Sequence, residues 1–263
     1  MTKKRLDVLL VEQGLAESRT KAQALIMAGQ VRVDGDLVLK PATAVSTGSG
    51  IRVESGPRYV SRGGEKLEAA LSAFHLNVSG RICADVGAST GGFTDCLLQH
   101  GAVRVYAIDV GKGILHWKLR NDPRVVLFEE TNARHLKQLP EPVSLVTIDA
   151  SFISLKVLLP VVQHWLQDGE VIALIKPQFE AGRREVARGK GVIRDSEIHR
   201  QVLNDVLTFA QTQGWQVQGL IRSPILGPKG NTEFLAWLRA GEGVKTNDLH
   251  LLIEAALTSE GLA

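Results

Sequence analysis

The chain has 263 residues, of which 44% are hydrophobic and 22% charged, an ordinary globular composition that excludes a disordered or fibrous chain. No segment approaches the roughly 18 consecutive apolar residues that cross a bilayer, and Asp7 and Glu12 interrupt the apolar N-terminal run, which argues against a signal peptide. The two cysteines lack metal-ligand spacing, so we expect free thiols and a cytoplasmic protein without a membrane partner.

The formal net charge is +3, and its position along the chain is informative. Residues 1–60 contain nine Lys or Arg against six Asp or Glu, whereas residues 61–263 contain twenty-two of each. A basic excess confined to one segment favours contact with a polyanion there, although a few extra lysines are also common on a solvated surface.

The first 56 residues predict a small α+β domain. Apolar residues at helical spacing indicate a helix from Leu6 that stops near Gly14, and Ser18 is a typical N-cap for a second helix through Ala28. Three short β-like runs follow, at residues 31–33, 37–39 and 51–53.

Residues 57–64 are predicted to be a linker, because the surrounding segment is rich in Gly, Ser and Pro. Beyond it, strand-like and helical runs alternate, which predicts a mainly parallel sheet covered by helices on both faces. The strands are expected at 82–86, 105–108, 125–128, 143–148, 171–175, 215–221 and 233–238. The helices are expected from residue 92 and at 114–119, 153–166 and 198–212.

The last two strands have no helix between them and are joined by a Gly/Pro-rich loop, so they are predicted to form an antiparallel hairpin. A parallel sheet closed in this way is typical of the class I (Rossmann-like) methyltransferase fold. We therefore predict a domain of that fold over residues 65–242, followed by a tail, residues 243–263, with one possible helix at 247–259.

A glycine-containing turn, Asp85-Val-Gly-Ala-Ser-Thr-Gly-Gly-Phe93, lies between the first strand and its helix. It lacks the full glycine pattern of nicotinamide enzymes, and the absence of an obligatory phosphate nest suits S-adenosylmethionine. Asp109 ends the next strand, where a carboxylate could bind ribose hydroxyls, and Asn132 could reach the adenine edge. The candidate cofactor residues are Asp85, Gly87, Ala88, Ser89, Gly91, Gly92, Phe93, Asp109 and Asn132.

Charged residues stand at the ends of the later predicted strands: Asp149, Lys176 and Glu233, with Lys66 on the helix before the first strand. Such residues are costly to bury unless paired, so two lysines and two carboxylates at one sheet edge predict a neutralised network. Taken singly, Lys66 and Glu233 are also consistent with ordinary surface positions.

Motifs that are absent from the sequence restrict which kind of atom can accept the methyl group. The sequence after the fourth strand, Asp149-Ala-Ser-Phe152, lacks the prolines typical of amino-group methyltransferases, and Cys83 and Cys96 are poorly placed as nucleophiles for carbon methylation. The remaining candidate acceptor is a hydroxyl group that a lysine activates. A lysine acts as a base only when it is partly neutral, and nearby positive charges favour that form.

The chain resembles the TlyA-type (hemolysin A-like) ribosomal RNA methyltransferases, in which an FtsJ-like catalytic domain follows an alpha-L RNA-binding domain of ribosomal-protein S-four type. The resemblance covers nearly the whole chain and rests on nine motifs. They are Arg5-Leu-Asp7, Ser18-Arg-Thr-Lys-Ala22, Gly29-Gln-Val-Arg-Val33, Tyr59-Val-Ser-Arg-Gly-Gly64, the glycine turn continued through Asp95, Asp109-Val-Gly111, Asn121-Asp-Pro123, Thr131-Asn-Ala-Arg134 and Lys176-Pro-Gln-Phe-Glu180.

The resemblance implies a Lys-Asp-Lys-Glu tetrad for ribose 2′-O methylation, at Lys66, Asp149, Lys176 and Glu233, with cytidines of ribosomal RNA or of a ribosomal subunit as substrate. Some members have a tryptophan where this chain has Tyr59. The basic residues expected to contact RNA are Lys4, Arg5, Arg19, Lys21, Arg32, Arg62, Arg183, Arg184, Arg188 and Lys190.

Three alternatives are weighed against this interpretation. A haemolysin is disfavoured by the lack of a membrane segment, and a nicotinamide oxidoreductase by the incomplete glycine pattern and the closing hairpin. An RNA-binding protein of the same fold without catalysis is disfavoured by the complete tetrad.

Overall fold

The computed structural model describes residues 2–54, 56–182, 189–240 and 247–259. Contacts between Cα atoms divide the chain into two compact units, Met1–Arg58 and Tyr59–Ala263. Each unit is described by itself.

The N-terminal unit combines two helices with five short strands. The helices are α1 (Leu6–Glu12) and α2 (Arg19–Met27). The strands are β1 (Lys3–Arg5), β2 (Val31–Val33), β3 (Asp36–Leu37), β4 (Ala44–Ser46) and β5 (Ile51–Val53). They form an antiparallel β1–β4 pair and a three-stranded sheet in the order β3-β2-β5.

Local chemistry explains most of this unit. Ser18 caps α2, since its hydroxyl accepts a hydrogen bond from the Lys21 amide at 3.2 Å. The apolar residues of α1 and α2 meet β2 and β4 in one small core, which includes Leu6, Leu10 and Ile26. The predicted run at 37–39 is wrong in extent, because only Asp36–Leu37 pairs with β2, and the β1–β4 pair was not predicted.

The second unit is built on a seven-stranded sheet in the order β11-β12-β10-β9-β6-β7-β8. Its strands are β6 (Ile82–Val86), β7 (Arg104–Ile108), β8 (Val125–Phe128), β9 (Val143–Ile148), β10 (Leu166–Ile175), β11 (Trp215–Arg222) and β12 (Phe234–Ala240). The strands β6 to β10 are parallel, and β12 lies between β10 and β11, antiparallel to both. The predicted fold class is confirmed.

Helices cover both faces of this sheet. They are α3 (Gly63–Ala73), α4 (Gly92–Gln99), α5 (Trp117–Arg120), α6 (Leu155–Gln163), α7 (Pro177–Glu180), α8 (Ser196–Thr212) and α9 (Leu249–Thr258). Leu67 of α3 and Leu97 of α4 pack into the core on one face, whereas Leu159 of α6 and Leu203 of α8 pack into the core on the other.

Several predicted boundaries differ from those of the structure. The helix expected at 114–119 is a single turn, Trp117–Arg120, and the strand expected at 171–175 begins at Leu166, with a register shift before Glu170.

Within the described residues, no helix is both long and apolar enough to cross a lipid bilayer.

Residues 59–64, which were predicted to be linker, are integrated into the second unit. Tyr59 is buried in its core, and α3 begins at Gly63. A Cβ atom at Gly64 would lie 2.2 Å from Tyr59 Cγ, so the ring lies directly against the backbone of the first turn. Glycine at position 64 therefore allows the tyrosine ring to pack against α3.

Candidate active site

Sheet topology brings the four predicted tetrad residues to one edge. Asp149 follows β9 and Lys176 follows β10, so both leave the carboxyl ends of parallel strands. Because β12 runs in the opposite direction, its first residue, Phe234, pairs with Ile175 at the end of β10. Glu233, one residue before β12, is therefore delivered to the same edge.

The first charged pair joins Lys176 and Asp149. Lys176 Nζ lies 2.6 Å from Asp149 Oδ1, and it also donates to Ser151 Oγ at 3.0 Å and to the Asp149 carbonyl oxygen at 3.4 Å. The lysine side chain is only 10% exposed. Its amine is therefore held by two short contacts and one long one.

The second charged pair joins Lys66 of α3 and Glu233. Lys66 Nζ lies 2.5 Å from Glu233 Oε2, and both side chains are almost completely buried. The other carboxylate oxygen of Glu233 accepts a long contact from Gln178 Nε2 at 3.5 Å. Gly227 leaves room for this carboxylate, because a Cβ atom there would lie 2.3 Å from Glu233 Oε1.

Both pairs line one cavity of about 640 Å³. Its lining residues are Ser61, Arg62, Gly63, Lys66, Gly87, Ala88, Ser89, Thr90, Gly92, Phe93, Asp149, Ser151, Phe152, Lys176, Gln178, Phe179, Gly191, Ile225, Leu226, Pro228, Lys229, Asn231 and Glu233. Ligand sites of 300–1,000 Å³ accommodate molecules of cofactor or nucleotide size. The cavity thus joins the glycine turn to the tetrad.

The glycine turn forms one wall of this cavity through Gly87, Ala88, Ser89, Gly92 and Phe93. Its glycines are required by close packing as well. Gly87 has a φ of +83°, and a Cβ atom there would lie 2.7 Å from the Asp149 carbonyl oxygen. At Gly91, with a φ of +99°, a Cβ atom would lie 2.2 Å from Leu119 Cδ1. Gly91 is thus needed for packing and does not line the cavity.

Asp109 organises the turn from the end of β7. Its Oδ2 accepts a hydrogen bond from the Ser89 amide at 2.8 Å, and its Oδ1 accepts one from the Gly111 amide at 2.7 Å. A carboxylate oxygen has a further lone pair, so both oxygens can still accept bonds from ribose hydroxyls. Asn132 caps a short 3₁₀ helix, Ala133–His135, with its side-chain oxygen. Neither Asp109 nor Asn132 lines the cavity itself.

Asp85 lies beneath the turn, where its side chain has no exposed surface. It accepts hydrogen bonds from the hydroxyls of Thr94 at 2.6 Å and Thr147 at 3.0 Å. Burial raises the pKa of Asp85 to about 7, and the charge of Asp149 adds to the effect, while the two threonines oppose it. The structure therefore places Asp85 as a support that ties β6, β9 and α4 together, away from the cavity surface.

These features fit S-adenosylmethionine. The turn offers a close backbone approach at Gly87, and the carboxylate of Asp109 stands one strand away. A carboxylate at that position suits neutral ribose hydroxyls and would repel a phosphate. Cys83 is buried within β6, where burial raises the pKa of its thiol to about 12, so it is unsuited to act as a nucleophile.

The predicted RNA-contacting residues are divided between the two units. In the N-terminal unit, Arg5 and Arg19 lie 2.9 and 3.0 Å from the buried carboxylate of Asp7, and the Arg5 guanidinium holds the pKa of that carboxyl well below its usual range. Lys4 pairs with Glu12 and Arg32 with Glu54, while Lys21 is exposed on α2.

The remaining predicted RNA contacts belong to the second unit. Arg62 is exposed and lines the cavity, and Lys190 is exposed. The other three, Arg183, Arg184 and Arg188, lie outside the described residues.

Sequence reasoning missed several cavity residues, including Ser61, Ser151, Gln178 and Lys229. Ser151 follows Asp149 by two residues, and Gln178 follows Lys176 by two residues. Their closeness in sequence to these charged residues was the available signal. Ser61 belongs to the Tyr59–Gly64 motif and adjoins Arg62, so a similar signal was available there, whereas Lys229 had none, because a loop distant in sequence carries it to the cavity. The side-chain oxygen of Gln178 is buried and has no hydrogen-bond partner among the described residues.

Comparison with known proteins agrees with this geometry. Residues 59–240 match the family described as FtsJ-like methyltransferase, and residues 4–51 match the S4 domain. The chain belongs to the FtsJ-like methyltransferase family. It is a methyltransferase that uses S-adenosylmethionine, as the glycine turn and the acid at the end of β7 had predicted.

Relatives align with this FtsJ-like methyltransferase over most of its length. A protein of Mycobacterium tuberculosis named 16S/23S rRNA (cytidine-2′-O)-methyltransferase TlyA is 49% identical over 240 residues, which cover 89% of each chain. Hemolysin A of Brachyspira hyodysenteriae is 45% identical over 88% of this chain and 98% of its own. A solved structure described as a hemolysin of Streptococcus thermophilus is 45% identical, with a TM-score of 0.74, over 97% of this chain and 95% of its own. The resemblance to the TlyA-type proteins is confirmed.

Proposed function

We propose that this chain transfers the methyl group of S-adenosylmethionine to ribose 2′-hydroxyls of ribosomal RNA, at cytidines, with Lys66, Asp149, Lys176 and Glu233 as its catalytic tetrad. The observation that carries the proposal is that the Lys176–Asp149 and Lys66–Glu233 pairs line the same cavity as the glycine turn. The relative from Mycobacterium tuberculosis is named for this reaction, and an S4 domain precedes the catalytic unit.

The cofactor, when bound, supplies an electrophilic methyl carbon on a positively charged sulfur. The chain would hold it with the backbone around Gly87 and Ser89, and with the carboxylate of Asp109 on its ribose. Both positions follow adjacent strands of the sheet, which is where ligands of open α/β folds bind. Asp85 keeps the turn in place from below.

Lys176 is suited to remove the proton of the acceptor hydroxyl. A neutral amine has two N–H bonds and one lone pair. The short contacts to Asp149 Oδ1 and Ser151 Oγ can hold the two N–H bonds, and loss of the long 3.4 Å contact frees the third position for the lone pair. Asp149 then stabilises the ammonium that forms when the proton arrives.

The Lys66–Glu233 pair is assigned to positioning and electrostatics. Lys66 lines the same cavity as Lys176 and is held in place there by its contact with Glu233. Glu233 compensates the buried charge of Lys66, which would otherwise be costly. Because positioning supplies much of the acceleration in such transfers, loss of either partner is expected to slow the reaction.

Aromatic and basic side chains at the cavity favour a nucleotide acceptor. The rings of Phe152 and Phe179 lie 4.8 Å apart, and Phe152 is 89% exposed. Exposed aromatic rings stack on unpaired bases, which is the usual mode of RNA recognition outside helices. Arg62 and Lys229 line the same cavity and carry charges that suit phosphates.

The proposal is tested with methyl-tritiated S-adenosylmethionine and 16S RNA, 23S RNA and both ribosomal subunits from a strain that lacks the modification. A 2′-O-methyl group removes the nucleophile of alkaline hydrolysis, so the label is expected in alkali-stable dinucleotides that contain cytidine. Label in mononucleotides would indicate base methylation and would contradict the proposal. The Lys176→Ala variant is the control for contaminating activity.

A further inference from the structure

A group of three metal-ligating side chains, one buried and two partly exposed, lies in the catalytic unit outside the cavity. It consists of Glu68 on α3 and of Cys96 and His100 on and just after α4, and we call it the Glu-Cys-His cluster. One donor atom of each residue lies within 4.8 Å of the donor atoms of the other two. None of the three residues lines the cavity, and the proposed methyl transfer does not use them.

We propose that the Glu-Cys-His cluster is a binding site for a thiophilic divalent cation such as Zn²⁺. Cysteine sulfur, imidazole nitrogen and carboxylate oxygen together form a donor set that Zn²⁺ accepts, while the hard cations Mg²⁺ and Ca²⁺ prefer oxygen alone. Three protein ligands leave a fourth, tetrahedral position for water.

Helix geometry places the ligands together. Cys96 and His100 are four residues apart, so their side chains lie on one face of α4. Glu68 reaches them from α3, which packs against α4. Side chains from two helices therefore converge on one point, where a bound ion would link the helix that carries Lys66 to the helix that begins at Gly92.

The hydrogen bonds of His100 favour a ligand on its second nitrogen. His100 Nδ1 lies 2.8 Å from the Cys96 carbonyl oxygen, which can only accept, so Nδ1 carries the hydrogen. Metal-bound histidines typically donate their other N–H to a carbonyl in this manner. Nε2 is then the ring nitrogen that faces Glu68 Oε1.

The separations suit a metal ion better than a direct hydrogen bond. His100 Nε2 lies 3.6 Å from Glu68 Oε1, beyond the 2.7–3.2 Å range of ordinary hydrogen bonds. Metal bonds of about 2.0–2.1 Å at tetrahedral angles place neighbouring nitrogen and oxygen ligands roughly 3.4 Å apart. Small rotations of the partly exposed Glu68 and His100 side chains would therefore complete the site.

The surroundings of Glu68 and Cys96 agree with a built site. The Tyr59 hydroxyl donates to Glu68 Oε2, which leaves Oε1 directed at the imidazole. Cys96 is fully buried and its Sγ lies 3.6 Å from His100 Nδ1, so the sulfur and the imidazole are already in contact, while Glu68 and His100 provide access from solvent. Carboxylate ligands are commonly fixed by such additional hydrogen bonds.

The test is titration of the untagged, full-length chain with Co²⁺, a spectroscopic substitute for Zn²⁺, followed by competition with Zn²⁺. We expect one Co²⁺ per chain, with a thiolate-to-cobalt charge-transfer band and the visible bands of tetrahedral cobalt. Cys96→Ser should abolish the charge-transfer band, and His100→Gln should weaken binding by at least about tenfold. Cys83→Ala, which changes the other, buried cysteine, should leave the spectrum unchanged.

Stability provides a second readout, because a ligand that binds only the folded state raises the melting temperature. Zn²⁺ is expected to raise it in the parent chain and in Cys83→Ala, to raise it less in His100→Gln at the same Zn²⁺ concentration, and to have no effect in Cys96→Ser. Absence of binding, or binding that survives Cys96→Ser unchanged, would overturn the proposal. Either result would leave the approach of His100 to Glu68 as a side-chain contact without a metal ion.

Discussion

Lys66 Nζ and Glu233 Oε2 lie 2.5 Å apart, although 167 positions separate the two residues in the chain. The pair exists because β12 is inserted between β10 and β11 and runs against β10, so that residue 233 arrives at the carboxyl edge of the parallel strands. The closing hairpin of the sheet is therefore part of the geometry of the proposed catalytic tetrad. A purely parallel continuation would have placed that carboxylate at the opposite edge.

Replacement of Lys176 tests the proposed base. Lys176→Ala is expected to lower methyl transfer by at least about a hundredfold, because general bases contribute 10²–10⁴-fold. Binding of S-adenosylmethionine, measured by calorimetry, should change little. Lys176→Arg is the matched control: it keeps the charge opposite Asp149, but a guanidinium cannot accept a proton at neutral pH, so it should be equally inactive. Full activity in Lys176→Ala would exclude the lysine as base.

The Lys66–Glu233 pair is expected to behave as a unit. Loss of one partner leaves a buried charge unpaired, which typically costs about 3–5 kcal/mol of unfolding free energy. Lys66→Met and Glu233→Gln should therefore each lower the free energy of unfolding. The double variant should lower it by less than the sum of the two single effects. Urea denaturation of the four proteins measures this coupling. Additive effects would show that the two side chains do not depend on one another.

Gly227 is expected to be intolerant of even one methyl group. Gly227→Ala would place a Cβ atom 2.3 Å from Glu233 Oε1 and displace the carboxylate from Lys66. We expect a clear loss of methyl transfer with retained binding of cofactor. Gly48→Ala is the control, since no atom lies within 4 Å of a Cβ atom there, and it should retain activity. Equal rates in the two variants would show that Glu233 has room to adjust.

Asp85 predicts a pH dependence of stability. Its pKa in the folded chain is about 7, above the value near 3.8 of an unburied aspartate, so the folded state binds more protons between these values. The free energy of unfolding should therefore fall as pH rises from about 4 to 7, by up to roughly 4 kcal/mol from this group. Burial also raises the pKa of Glu180, which contributes in the same direction.

Asp85→Asn isolates this effect, because an amide of the same shape does not titrate. Thr94 and Thr147 can still bond to it, since hydroxyls both donate and accept. Denaturant midpoints measured from pH 5 to pH 8 should show a shallower decline in Asp85→Asn than in the parent chain. Parallel curves for the two proteins would contradict the assignment.

Removal of residues 1–58 tests the division of labour between the two units. The truncated chain is expected to bind S-adenosylmethionine as well as the full chain does, and to bind ribosomal RNA much more weakly. Because each phosphate contact releases counterions, the dependence of affinity on salt should also become shallower. Unchanged affinity across a salt series would place the RNA contacts in the catalytic unit.

Much of the catalytic unit could be predicted from the sequence, because the signals are local. The apolar runs that become β6, β7, β8 and β9 are short and bounded by turn residues, and Asp149 and Lys176 stand directly after such runs. Parallel strands end at a common edge, so the position of a charged residue at the end of its strand was enough to place it near the cavity.

Other features depend on contacts distant in sequence and had no local signal. The cavity position of Lys229 depends on how its loop returns to the sheet edge, and α5 is shorter than its apolar spacing suggested. For Asp85 a local signal was present, but it suggested a different role from the one the structure indicates. Its strand-end position suggested a cofactor ligand, but the hydroxyls of Thr94 and Thr147 hold it below the surface.

The packing of Tyr59 against Gly64 has a practical consequence for dissecting the protein. A boundary chosen from composition alone would start the catalytic fragment at residue 65, after the stretch rich in glycine and serine. Such a fragment would lack a core aromatic ring, the first turn of a helix and three residues of the cavity wall, Ser61, Arg62 and Gly63. A fragment that begins at Tyr59 retains all of them, so the tyrosine marks where a cut between the units can safely be made.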